Sequence, residues 1–386
     1  MNAPRFHTQH LHTPHLHAAG GPYTGYADHA LLGAPAAPRR LGDRFAGWLT
    51  WVLLGYALLG RGFAYVGVAP LFIGEITLGF GLVALLFSGS VGRVLRLWPA
   101  RILAVLFLWC LACTVPYVSE YRFDAFRDAV LYGYGLYAFA VAAVLIQDPE
   151  RLRTLLVRYR SFVYVFVSLI WLVFVIYQMY ASVLPKMPGG AAPVLAAKGG
   201  DILVHLAGVT AFILVGMARP KAPVLLLLAL SLGITIVSNR GGMVSFSLAT
   251  LVVLWLRPPY VKLGRIVFGG FLLITLLGLA NPKYEIDGNR AVSLESLWTN
   301  VTSIFGQSKA SHLEGTKEWR MLWWEKIVGY TFGGDYFLMG KGFGVNLADV
   351  DGFQVEEDSA LRSPHNGHLS FLARSGVPGF LLWIGL

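Results

Sequence analysis

Three short stretches hold the residues whose types and spacing could do chemistry. The first is Ser238-Asn239-Arg240-Gly241-Gly242, a polar interruption between two apolar runs. Its arginine carries a planar fork that grips phosphate oxygens two at a time, and the glycines would let backbone come close to a ligand. The second is Trp319–Lys326, a tryptophan-rich amphipathic stretch around Arg320; tryptophans of this kind sit at the headgroup level of a bilayer. The third is Arg362-Ser363-Pro364-His365-Asn366-Gly367-His368, where a hydrophilic loop meets the last apolar run. Imidazole takes up a proton near neutral pH, so His365 is a candidate general base for a hydroxyl. Two arginines and one histidine suit the attack of a hydroxyl on a sugar anomeric carbon. The histidine accepts the proton and the arginines stabilise charge developing on a departing diphosphate. Ser238, Asn239, Asn366, His368 and Arg127 are candidate substrate-binding residues around these three. No carboxylate cluster with metal-ligand spacing accompanies them, so neither a metal nor a cofactor is expected.

The elements that must position these residues are membrane helices. Of the 386 residues, 56% are hydrophobic and 13% charged, about half the charge a soluble domain of this size carries. The apolar residues fall into runs near bilayer length, without the alternation of an outer-membrane barrel. The predicted fold is all-α, a polytopic integral membrane protein with spans near 46–60, 64–88, 102–118, 126–146, 161–181, 202–218, 223–238, 242–256, 266–280 and 366–386. Residues 1–45, which hold six of the ten histidines, read as a disordered cytoplasmic tail. A transmembrane bundle follows over 46–280, a periplasmic loop over 281–365, and a final span over 366–386 that stops at Leu386 without a polar cap, as in a truncated chain.

Sidedness follows from the basic residues. With the N-terminus cytoplasmic, sixteen Lys and Arg fall in the inside loops and five in the short outside loops, the asymmetry of the positive-inside rule. The net charge of +10 therefore reflects topology, and no nucleic-acid partner is expected. The one long hydrophilic loop then lies outside the cytoplasm, away from ATP and nucleotide sugars. Its cluster Gly340-Lys341-Gly342-Phe343-Gly344 lacks Walker spacing and reads as a tight turn. Cys110 and Cys113 read as small packing residues. Glu75 is placed mid-span, where a carboxylate is costly, and reads either as a functional candidate or as a protonated structural residue. Arg122, Asp124, Arg127 and Asp128 group where the third and fourth spans meet, either as an extension of a phosphate cradle or as ion pairs at a rim. Lys198, Asp201 and His205 open the sixth span on the same side.

The three stretches also resemble a known family. Ser238–Gly242 before a long apolar run is similar to the Ser-x-Arg-Gly region of the O-antigen ligase and polymerase family. Glu318–Gly344 resembles that family's outer loop, and His365-Asn366-Gly367-His368-Leu369 followed by Gly376-Val377-Pro378-Gly379 resembles its signature at loop re-entry. The match is strongest over 235–386. It implies a bacterial inner-membrane glycosyltransferase that moves a polyprenyl-diphosphate-linked glycan (undecaprenyl diphosphate being the carrier) to an acceptor on the periplasmic face. The acceptor would be the lipid A core of lipopolysaccharide for a ligase, or another lipid-linked repeat for a polymerase. By the same resemblance Arg240, Arg320 and His365 are catalytic. The competing class is a polysaccharide-related transporter, but such proteins place binding groups near the bilayer midplane within repeated halves, and here the polar groups gather at span ends.

Overall fold

The computed structural model describes residues 40–188, 192–236, 239–256, 284–286, 290–292, 311–355 and 361–386. The N-terminal tail over 1–39, Ser238 and the predicted span 266–280 lie outside the described residues. The body is helical. In chain order it contains α1 (Leu41–Leu59), α2 (Ile73–Phe87), α3 (Trp98–Thr114), α4 (Phe123–Gly133), α5 (Leu136–Gln147), α6 (Glu150–Tyr180), α7 (Gly199–Leu214), α8 (Ala222–Ile236), α9 (Arg240–Leu256), α10 (Ser311–Phe332), α11 (Leu347–Asp351) and α12 (Gly367–Ile384). Two small antiparallel hairpins interrupt the helices, Gly67–Val68 with Leu71–Phe72 and Tyr284–Ile286 with Arg290–Val292.

Several predicted spans are shorter or more broken than the apolar runs suggest. Among the described residues, two helices are long and apolar enough to cross a membrane: Trp98–Tyr121, which is α3 with its continuation, and α6. The pair α4 and α5 makes a third if its 41° bend lies within one span. The apolar helices α2, α7, α8 and Gly241–Leu256 of α9 run to 17 residues at most. The reasons are local. The run 64–88 begins with a one-turn helix and a hairpin around the Ala69-Pro70 bond, and α2 starts only at Ile73. Glu75, predicted mid-span, thus sits in the first turn of α2. It accepts from the Phe72 amide at 3.1 Å and from the Tyr134 hydroxyl at 2.6 Å, so it caps a helix and ties it to the α4–α5 junction.

The helix over the predicted final span 366–386 is the most broken. Gly376 has φ 67° and ψ −171°, which breaks the helix in two. A side chain is excluded from that backbone shape. Trp383 Nε1 donates to His368 Nδ1 at 2.9 Å, and Trp383 stacks on Phe371 with ring centres 4.6 Å apart. A straight helix would separate positions 368 and 383 by about 22 Å, so the two halves of α12 fold back on each other. A Cβ at Gly376 would lie 2.2 Å from the Leu338 carbonyl oxygen. Gly376→Ala should therefore open this hairpin and cost about 3 kcal/mol or more. Thermal unfolding in detergent, compared with Gly385→Ala, measures the difference.

One end of the bundle joins the segments predicted to share the cytoplasmic side. Arg93 donates to the Ile146 carbonyl at 3.3 Å, and Gln147 to the Ser88 carbonyl at 3.5 Å. Arg151, 5% exposed, reaches from α6 to Asp43 on α1 at 2.7 Å. Burial pushes the Asp43 carboxyl up, but the hydrogen bond and charge of Arg151, helped by the Arg40 amide, outweigh it and hold the carboxyl below its usual range. A depressed carboxyl stabilises the fold above its unfolded pKa and stops doing so as pH falls through the folded value. Asp43→Asn should therefore flatten the decline in stability on acidification below about pH 4, measured by melting temperature against pH.

Cys110 and Cys113 are free, fully buried and part of one apolar cluster with Leu106, Tyr132 and Phe343, as their apolar setting suggests.

Candidate active site

At the far end of α3 the chain reverses at Arg122 and enters α4, which carries Asp124 and Asp128. Two segments of the hydrophilic region come to meet them. One is the turn Gly340–Gly344, in which all three glycines have positive φ. A Cβ at Gly342 would fall 2.1 Å from the Tyr117 ring, and one at Gly344 2.7 Å from Tyr121. Phe343 between them is fully buried, with its ring edge-on to Tyr132 at 5.0 Å. The glycines are therefore the close-fitting turn that the sequence suggests. The other segment is Leu361–Asn366, leading into α12.

The two segments are joined by a compact ion cluster. Arg362 donates to both oxygens of Asp128, at 3.2 and 2.9 Å, and to the Gly344 carbonyl at 2.7 Å. It also lies 3.4 Å from Asp124. Arg374, 3% exposed, reaches the same Asp128 oxygen at 3.0 Å and the carbonyls of Val345 and Arg362, each at 3.1 Å. The Gly344 amide donates to Asp128 at 3.1 Å. Burial lowers the Arg362 pKa, but the bond and charge of Asp128 and the charge of Asp124 more than offset this and raise it. Two-point pairing of a guanidinium with a carboxylate fixes orientation as well as distance. Of the two sequence readings for Asp124 and Asp128, these contacts match ion pairing. Arg127, a candidate substrate residue, is paired with Asp124 at 3.1 Å on the exposed side.

A second cluster holds α10 in place. Asp351 and Lys341 form a buried ion pair. Trp323 donates to Asp351 at 2.8 Å, the Tyr330 hydroxyl lies 3.4 Å from it, and Lys326 donates to its carbonyl at 2.7 Å. The Lys341 ammonium also sits 4.1 Å from the centre of the Tyr330 ring, a cation–π contact. Trp323 is fully buried and stacks on Phe353. The tryptophans read in sequence as a headgroup anchor thus include one that is the core of this unit.

Trp324, next along α10, donates to the Pro364 carbonyl at 2.9 Å. Arg320 is one turn before it on the same face. Its Nε is buried and has no hydrogen-bond partner among the described residues. His365 follows Pro364, is exposed, and has φ 53°. It stands just before α12 and not on it, because Asn366 is the N-cap. The Asn366 side chain accepts from the amides of His368 and Leu369 at 3.0 and 3.3 Å. Asn366 therefore caps a helix, and His368 is bonded to Trp383.

Arg240 opens α9. Asn239 precedes it, is exposed, and accepts from the Gly242 amide at 2.7 Å. A Cβ on Gly242 would meet Leu203 at 2.8 Å and Gly200 at 3.2 Å. Gly242 therefore serves close approach of α9 to α7, the use membrane helices make of small residues, where the sequence suggested approach to a ligand. The structure brings the segments of Arg320 and His365 together through Trp324. Among the described residues, neither α10 nor α12 packs broadly on α9.

Sequence reasoning missed Arg374 and the pairing of Arg362. Arg374 is the one charged residue in 366–386, and a charge in an apolar run is a signal in itself. Among the described residues no group of His, Cys, Asp and Glu could hold a metal ion.

Residues 223–384 match a protein family described as O-antigen ligase. No curated protein and no solved structure matches the chain.

Proposed function

We propose, from the match of residues 223–384 to a family described as O-antigen ligase, that this chain is a membrane glycosyltransferase acting on a polyprenyl-diphosphate-linked glycan at the periplasmic face of the bacterial inner membrane. The N-terminus is cytoplasmic in this reading, by the positive-inside asymmetry. An acceptor hydroxyl, on the lipid A core or another glycan, attacks the anomeric carbon of the donor. The new carbon–oxygen bond forms as the bond to the diphosphate breaks. His365 takes the hydroxyl proton, and the polyprenyl diphosphate leaves with the electron pair. Arg320 and Arg240 stabilise the charge that builds on it. The step is a single displacement in which no side chain becomes glycosylated. It uses only protein groups, with neither metal nor cofactor.

One observation carries the reading. Trp324, a turn beyond Arg320, bonds to the carbonyl of Pro364, the residue before His365. A cation whose Nε has no partner among the described residues is thereby tied to the segment that presents the imidazole. Arg240 enters by its Ser-x-Arg-Gly motif and its place at the start of α9. Ser238, Asn239, Asn366, His368 and Arg127 are the substrate-binding residues of this reading, with Asn366 and Asn239 also serving as helix caps.

Surface polysaccharide from a deletion strain complemented with wild type, Arg240→Ala or Arg320→Ala, at matched expression, tests the assignment. Both variants should lose the product. Long lipid-linked chains left behind mark a ligase, and single lipid-linked repeats mark a polymerase. Normal polysaccharide from both variants would contradict the catalytic roles.

A further inference from the structure

Among the described residues, two non-glycine residues have positive φ, Arg122 at 44° and His365 at 53°. Such conformations cost roughly 1–2 kcal/mol and persist where the surroundings hold them. The two lie on either side of one cluster. Arg122 is two residues before Asp124, and His365 is three residues after Arg362. Asp128 is the hub between them. Its carboxylate, 8% exposed, receives the Arg362 fork, the Arg374 guanidinium and the Gly344 amide. Arg374 in turn holds the Arg362 carbonyl. The Leu361–Asn366 segment is thus fixed ahead of His365 by Arg362, at Pro364 by Trp324, and behind His365 by the Asn366 cap. Of these fastenings, the Arg362 pairing reaches across to α4, an element far away in sequence.

We propose that Asp128 is a positioning residue, which through Arg362 and Arg374 holds the Leu361–Asn366 segment so that His365 keeps its left-handed conformation and its imidazole stays aimed at the acceptor hydroxyl. The proposal rests on the reading of His365 as the base. Asp128 itself touches no reacting atom. A carboxylate is needed because two guanidiniums converge on it. An amide would satisfy part of the geometry, leave the buried Arg374 without a carboxylate and leave Arg362 with Asp124 alone. A displacement of about 1 Å at the base is enough to cost about 10²-fold in rate.

The test uses full-length protein in lipid nanodiscs and two readouts on Asp128→Asn and Asp128→Glu. Hydrogen exchange of the amides in 361–369, followed by mass spectrometry, should rise about tenfold in Asp128→Asn, while α6 and α7 stay protected. With a lipid-diphosphate glycan as donor, kcat should fall by about 10²-fold at unchanged donor KM. Asp128→Glu should recover most of both. If Asp128→Asn does not fold, Arg362→Lys, which keeps the charge and loses the fork, should give the same local rise in exchange. Unchanged exchange in 361–369 in the folded variants, or a loss confined to donor KM, overturns the proposal. Failure of wild type to transfer any glycan would sink the enzymatic reading, while the exchange data would still decide whether Asp128 holds the segment.

Discussion

Replacing His365 by alanine should lower glycan transfer by about 10²–10⁴-fold, the range in which a general base contributes, with donor KM little changed. The side chain is exposed and stands ahead of the helix that Asn366 caps. Alanine there leaves the Asn366 cap intact. Loss of activity with the fold retained is the expected pattern. His365→Gly should behave like alanine in activity and be slightly more stable, because φ 53° is free of strain for glycine alone. Initial rates with purified protein, together with melting curves of the same preparations, check both statements. If the loss in His365→Ala appeared only as a raised donor KM, the residue would be a binding group and not the base.

Asp351→Ala should destabilise the protein by about 3–5 kcal/mol, the cost of leaving one partner of a buried ion pair alone. The Asp351 side chain is fully buried and Lys341 is 8% exposed. Removing the carboxylate also leaves the Trp323 indole and the Tyr330 hydroxyl without their acceptor. The double variant Lys341→Met with Asp351→Leu should recover much of the loss, since an apolar pair of similar volume tolerates burial far better than a lone ammonium. Denaturant unfolding followed by tryptophan fluorescence reads the change, because Trp323 lies at the centre of the affected cluster. Lys341 and Asp351 also link α10 to the glycine turn, so the single variant should lose transfer activity along with stability.

How much was legible in sequence can be judged residue by residue. The apolar runs identify a helical membrane protein, because covering a body of this size with 13% charged residues is feasible only where lipid replaces water. Helix ends were less legible. Hydropathy counts Val68, Leu71 and Phe72 as part of a span, although backbone geometry makes them a hairpin. It also counts 366–386 as one helix, although the backbone at Gly376 folds it back. A glycine inside an apolar run carries no hydropathy signal for such a break. Glu75 reads as buried mid-span for the same reason, since moving the helix start to Ile73 turns it into a capping residue.

At the candidate site, local motifs pointed to segments but not to the partnerships between them. His365 and Asn366 stand out by spacing from Pro364. The link from Trp324 to Pro364 spans 40 residues and that from Arg362 to Asp128 spans 234, and no periodicity reports contacts at such separations. Asn239 and Asn366 were read as ligand groups because they flank the catalytic candidates. Their side-chain oxygens serve helix amides, a use that Asn before a glycine or a helix start invites.

The most direct measurement of the central claim uses purified protein in nanodiscs, a radiolabelled polyprenyl-diphosphate glycan and a hydroxyl-bearing acceptor, with no added metal or nucleotide. Wild type should transfer the label to the acceptor and release one polyprenyl diphosphate for each glycan moved, and His365→Ala should do neither at a measurable rate. Transfer at the wild-type rate by His365→Ala, or movement of the glycan across the bilayer with its diphosphate bond intact, would contradict the account.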